Sequence, residues 1–459
     1  MGTIGLRAGV ALLLTILIGV TSPAAAQGLA ARRGLTAEID RVVSPYVAAG
    51  DFMGVVAVQH DGEAPVVLPY GLASVELGVP HRATDIFLIG SMSKQFTAVA
   101  ILLLEEEGKL KTSEFVSNYL PDFKPDTPIT IEQLLTHTAG VADVFSLKRH
   151  SMTGGQGGSF ADIVRDLGMM ELTHQPGAAY AYSNGGYSLL AAIIERASGM
   201  AYGDYLAHRI FGPLGMASTS HDQPAPVVKN RVPGYDPWGR SGLTPVVPPT
   251  AAYLTGSGSL WSSATDLLTW SSALHGGKLL TATSYAKLTR NYGRGYGYGV
   301  SVFKRFGRDV VGHDGRVAGY ASDMARYLEA RTTVLILSNV QSVARDEIRQ
   351  SVAAIVLEQP VAEPEIRVFA DPAIDGAMAE LAGVYSFGPG FDVSIRESDG
   401  RLLARANEGS ESELVPTTDG AWFSRVLYAT VSFERDETGR VDRLRWGRGS
   451  QAPVGRRVR

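Results

Sequence analysis

The stretch Phe87–Leu104, FLIGSMSKQFTAVAILLL, constrains this chain more than any other. As a helix it is apolar around nearly its whole circumference, and such a helix belongs in a core. Ser91 and Lys94 stand three residues apart at its start, a spacing that brings both onto one face. A lysine held beside a serine hydroxyl can help to remove its proton, the minimum equipment for nucleophilic catalysis without a histidine base. Spacing alone decides nothing, because Ser-x-x-Lys recurs at Ser284/Lys287 and Ser301/Lys304. Context separates the three. Ser91 follows the strand-like DIFLIG and opens a long helix, whose dipole favours a developing anion. Ser284 is on a short amphipathic segment and Ser301 inside a glycine-rich strand.

A chain of 459 residues is expected to hold two or three units, one of them large. With 45% apolar and 19% charged residues it can build a sizeable core. Its formal charge of −4, with no lysine and arginine stripe, gives no sign of a nucleic-acid partner. The absence of cysteine excludes disulfides, thiolate metal sites and a cysteine nucleophile. Residues 1–26 read as an export signal, with Arg7, an apolar run over Val10–Val20 and the small residues Ala24, Ala25 and Ala26. A retained membrane anchor is the rival reading, but the run is short for a spanning helix and ends at Ser22-Pro23. The expectation is an exported, periplasmic or secreted product without an anchor once the signal is cleaved.

Residues 35–50 have helical spacing, and two strand-like runs surround Asp61-Gly62. ITIEQLLTHTAGV predicts a short helix ending at Gly140, and Gly186–Gly199 a core helix. The glycine-rich Met152–Ser159 lacks phosphate-cradle spacing and reads as a flexible loop. His221–Pro249 reads as a long irregular loop, and Ser263–His275 as a capped helix. GYGYGVSVF, RDVVGH, YASDMARYL and TTVLILSNV predict successive antiparallel strands, with the tyrosines of the first read as strand packing. Strands at both ends with helices between them predict a sheet assembled from distant sequence. After a linker over residues 359–373, short strands and the turns Asp399-Gly400, Asp419-Gly420 and Thr438-Gly439 predict a small antiparallel barrel or sandwich over 374–459.

Two further motifs join Ser91 and Lys94. Tyr182-Ser183-Asn184 is the only Tyr-x-Asn of the chain, and residues two apart in extended backbone point to one side. A phenol there can relay a proton while an amide orients a carbonyl. His313-Asp314-Gly315 starts on the last residue of RDVVGH; the matching His60 and His275 motifs have turn and helix-end explanations. His137 in THTAG reads as a helix-end hydrogen-bonding residue. No Walker, dinucleotide or His-Glu-x-x-His pattern is present, and neither a cofactor nor a metal is called for.

Ser91-x-x-Lys94, Tyr182-x-Asn184 and His313-x-Gly315, in this order, resemble the three motifs of the serine β-lactamase-like and penicillin-binding-protein hydrolases, and specifically the class C β-lactamase, esterase and D-peptidase branch. The resemblance implies an α/β (α+β) fold for residues 27–358, in which an antiparallel sheet is flanked by helices and joined to an all-helical subdomain. A lipocalin-like barrel would follow. It implies Ser91 as the acylated nucleophile, with Lys94 and Tyr182 sharing its proton. Asn184, His313, Gly315 and Arg316 would bind substrate, and the N–H groups of Ser91 and Arg316 would hold the oxyanion. Many relatives have Lys-Thr-Gly where this chain has His-Asp-Gly; a histidine is mostly neutral at pH 7, which argues against efficient β-lactam hydrolysis. The expected activity is on amide or peptide bonds of D-residue peptides. A carboxylesterase or weak β-lactamase remains an alternative, as does a penicillin-binding sensor or scaffold that acylates without turnover. The expected partner is a small peptide, amide or ester, with oligomeric state open.

Overall fold

The computed structural model describes residues 23–123, 127–147, 158–221, 227–247, 249–370, 377–388, 391–406, 411–447 and 452–459, with the side chains of 23–33 and 377 outside that set. Residues 1–22 of the expected export signal, and 152–157 of the glycine-rich loop, lie outside the described residues.

Six antiparallel strands form the central sheet: β1 (Gly54–His60), β2 (Val66–Tyr70), β3 (Ser301–Arg305), β4 (Arg308–Val317), β5 (Tyr320–Tyr327) and β6 (Thr332–Ser338). Their order is β3-β4-β5-β6-β1-β2. β1 enters between β6 and β2, with Gly54 opposite Ser338 and His60 opposite Thr332. Alternation along the strands divides two cores. Val55, Ala57, Val311, Met324, Leu335 and Leu337 face one way; Val56, Val58, Val310, Ala325, Val334 and Ile336 face the other. Sheets of this kind need cover on both apolar faces.

The second face is covered by α1 (Pro23–Ala48), through Ile39, Val42, Val43 and Tyr46, and by the C-terminal α6 (Ala344–Val356), through Ile348 and Val352. The first face receives α2 (Ser93–Glu106) and α5 (Ala264–His275), capped by the Ser263 hydroxyl. α3 (Ile131–Leu135) and α4 (Asn184–Ser198) belong to the helical subdomain between them. α3 starts at a capping box of Thr130 and Gln133 but stops at Leu135, short of the expected Gly140, because His137 takes a φ of 56°. The region from His221 to Pro249 is not wholly irregular: Gly234–Trp238 and Gly242–Val246 pair as a hairpin. The strand expected over GYGYGVSVF begins only at Ser301.

Among the described residues, eight consecutive antiparallel strands from Gly383 to Arg457 close into a barrel, sealed where Tyr385 pairs with Arg457. Its interior holds Tyr385, Val393, Ile395, Leu402, Leu414, Val431 and Leu444. The link from Ser424 to Tyr428 leaves the barrel and packs into the unit built on the central sheet. Phe423 and Tyr428 pack with Ile39 and Tyr46, and Arg425 is 2% exposed.

Candidate active site

The strand Ile86–Leu88 pairs with Leu260–Ser263 and delivers the chain to a single 3₁₀ turn, Gly90–Met92, from which α2 continues. Ser91 therefore stands at the junction, just ahead of the helix. Two glycines let β4 lie against this turn. Gly90 has φ +53°, and a Cβ there would meet Arg316 N at 3.0 Å; a Cβ on Gly315 would meet Ile89 O at 2.0 Å. Ser322 Oγ donates to the same Ile89 carbonyl at 2.8 Å. Gly315 thus serves close packing of strand on turn, and through it the backbone of Arg316 reaches the Ser91 turn.

Lys94, on the first turn of α2, is fully buried. Its Nζ is 3.1 Å from Ser91 Oγ, 2.8 Å from Asn184 Oδ1 and 2.8 Å from the Ser257 carbonyl. Burial lowers its pKa to about 7, against the opposing charges of Asp143 and Asp314. The Asn184 amide cannot be turned round. Asp143 Oδ2 accepts from both the Asn184 backbone N–H (2.9 Å) and Nδ2 (3.0 Å), so Oδ1 must face the lysine. A neutral amine has two hydrogens and one lone pair. With the Asn184 and Ser257 oxygens able only to accept, both hydrogens are committed, and the lone pair is left for the Ser91 hydroxyl.

Tyr182 borders Ser91, and Lys94 Nζ sits 4.8 Å from its ring centre. Although the residue is 39% exposed towards the cleft, burial of its phenol raises the pKa well above 10, and its hydrogen bond with Ser91 pulls the other way. The ring is backed by His137, centre to centre 4.2 Å. His137 Nδ1 accepts the Ser183 N–H at 3.1 Å, the hydrogen-bonding role expected at the helix end; Nε2 is then the protonated nitrogen, and burial keeps the imidazole neutral.

His313 is buried within β4, and its ring nitrogens identify its tautomer. Nδ1 faces the Asp314 carbonyl, which can only accept, so Nδ1 carries the hydrogen. Nε2 then accepts from the Tyr296 hydroxyl at 2.8 Å. Burial depresses its pKa to about 4, so the ring is neutral at pH 7. Asp314 alternates to the opposite face of β4, where Arg345 of α6 binds it at 2.5 Å. Arg316 is exposed.

Ser91, Tyr182, Asn184, His313 and Arg316 line one cavity of about 640 Å³. Lys94 lies beneath it, and all residues singled out from the three motifs are brought together. Asp143, Tyr296 and Arg345 were not anticipated. Asp143 belongs to no motif, Tyr296 lies where strand packing was expected, and α6, which carries Arg345, was not expected at all. Among the described residues there is no group of acidic or histidine side chains arranged to hold a metal.

The Beta-lactamase family model matches residues 39–357. Penicillin-binding protein 4* of Bacillus subtilis is 28% identical over 428 residues, covering 87% of this chain and 94% of that protein. The D-aminopeptidase of Gluconobacter oxydans is 27% identical, covering 78% and 72%. Among solved structures, the octameric penicillin-binding protein homologue from Pyrococcus abyssi superposes with a TM-score of 0.64 at 22% identity, over 92% of this chain and all of that one. The D-amino acid amidase of Ochrobactrum anthropi SV3 does so with a TM-score of 0.64 at 23% identity, over 71% and 99%. The matched segment runs from α1 to the end of α6 and takes in the sheet, the helical subdomain and every residue around the cleft: this chain belongs to the Beta-lactamase family.

Proposed function

We propose that this protein is a serine hydrolase that forms an acyl-enzyme on amide bonds of D-residue-containing peptides or amides. The observation that carries the reading is the lone pair of buried Lys94, which the Asn184 and Ser257 oxygens leave for Ser91. Lys94, directly or through Tyr182, takes the Ser91 proton as Oγ bonds to the substrate carbonyl carbon. The carbonyl oxygen becomes an oxyanion held by the N–H groups of Ser91 and Arg316. The C–N bond then breaks, and the proton passes from Lys94 and Tyr182 to the departing amine. Water, deprotonated by the same pair, releases the acyl group and restores Ser91.

Support for a D-residue substrate comes from the D-aminopeptidase and the D-amino acid amidase among the similar proteins. At the third strand the histidine position offers a substrate carboxylate no charge, and Arg316 is a cation on that wall of the cleft. His313 is held neutral, and Asp314, engaged by Arg345, adds no positive charge. The neutral His313 makes a carboxylesterase the second reading. The test joins labelling with turnover. Intact mass after exposure to a fluorophosphonate is expected to show one adduct on the wild type and none on Ser91→Ala, and D-phenylalanine amide to be hydrolysed at least tenfold faster than the L form. Equal labelling of Ser91→Ala would sink the mechanism. Ester turnover without amide turnover would select the esterase.

A further inference from the structure

A second cavity, of about 310 Å³, lies where the barrel meets the catalytic unit. It shares two walls with the catalytic cleft, Phe145 and Arg316. Both have a fixed relation to the chemistry. Arg316 follows Gly315, whose packing brings the Arg316 backbone to the Ser91 turn. Phe145 donates its N–H at 3.0 Å to Asp143, the residue that orients Asn184. Beyond them Val317 on one side and Val426, Leu427 and Trp446 of the barrel on the other supply apolar surface, while the polar groups of the lining are already engaged: Asp236 and Gln341 accept the Gly319 N–H, and Glu411 pairs with Arg396.

The barrel wall is held in place. Val343 N–H donates to Val426 O at 3.0 Å, Ser342 Oγ to Arg425 O at 2.8 Å, and buried Arg425 is clamped by the catalytic unit. The direction of the substrate follows from the proton path. A leaving group must lie on the side of Lys94 and Tyr182, which return its proton. The arm on the other side of the carbonyl carbon is therefore the acyl arm, and the space open to it is the interdomain cavity, which shares Phe145 and Arg316 with the cleft and is not lined by Tyr182.

We infer that this interdomain cavity is an acyl subsite, built jointly by Val317 and by the barrel residues Leu427 and Trp446, and that it selects substrates whose acyl group extends several carbons in an apolar chain or ring. The inference rests on Ser91 as the nucleophile. It gives the barrel a part in substrate choice while leaving the bond-breaking groups entirely in the catalytic unit. Each methylene that enters an apolar pocket strengthens binding by roughly threefold to fourfold.

p-Nitrophenyl acetate, butanoate, hexanoate and octanoate vary only the acyl arm. For the full chain, kcat/KM is expected to climb roughly threefold per methylene from butanoate until the cavity is filled. Leu427→Trp, which fills the cavity from the barrel side, is expected to cut the octanoate-to-acetate ratio at least tenfold. Ala406→Trp, on the same wall, repeats the test should the first variant not unfold cooperatively. A flat wild-type series, or a ratio unchanged within twofold in a folded variant, overturns the subsite. Failure of the nucleophile assignment looks different: no ester is turned over, and Ser91→Ala labels as the wild type does.

Discussion

Lys94 supplies the sharpest dependence on conditions. With a pKa of about 7, its lone pair is present above neutrality and lost below it, so kcat/KM on p-nitrophenyl butanoate is expected to fall tenfold per unit as pH drops below about 7 and to level off above it. His313, at about 4, is neutral across this range and adds no limb. The Asp143 carboxylate raises the Lys94 pKa by its charge, so Asp143→Asn is expected to move the limb to lower pH. The same variant weakens the hold on Asn184 and is expected to lower the plateau at least tenfold. A limb that stays put or moves upward in this variant would contradict the proposed base.

At the scale of elements, the site depends on how closely β4 can approach the turn before α2. Gly315→Ala would set a methyl 2.0 Å from Ile89 O and 2.3 Å from Ser322 Oγ, so the strand must move away. Activity is expected to drop on the order of a hundredfold, as when an oxyanion donor is lost, while acylation by a fluorophosphonate slows in parallel. Guanidinium unfolding should report a stability loss of about 1–3 kcal/mol. Much of this arrangement was legible beforehand. Apolar, β-branched runs bounded by turn signals identified the strands around Asp61-Gly62 and those from RDVVGH to TTVLILSNV, and the capping residues marked α4 and α5. Other elements had weak local signals. Pro233, Pro237 and Pro245 mask the strands of the hairpin, whose Gly-Arg-Ser-Gly turn lies at residues 239–242. α6 has Val343 at its N-cap position, which offers no side-chain cap. Asp143 and Tyr296 become site residues only through tertiary contacts, which no local pattern in the chain reports.

For the molecule as a whole, Arg425 is the fastener between barrel and catalytic unit. Its Nε donates to Asp51 at 2.7 Å, and its remaining donors reach the carbonyls of Gly50, Gly239 and Gly242. Arg425→Met would leave the buried Asp51 carboxylate without its partner, at a cost of about 3–5 kcal/mol. Adding Asp51→Leu removes the stranded charge and is expected to recover most of the loss, measured by guanidinium unfolding. No recovery in the double variant would mean that the backbone carbonyls, rather than the ion pair, hold the joint. The insertion of β1 between β6 and β2 has another consequence, for how the chain comes to exist. His60 meets Thr332, 272 residues further along. On the ribosome, β1 and β2 emerge early as a bare apolar ribbon, and the strand that shields their inner edge is among the last of the catalytic unit to be synthesised. The nascent protein is therefore most prone to sticky, edge-to-edge association during this wait, and a chaperone that shelters exposed strands would act there.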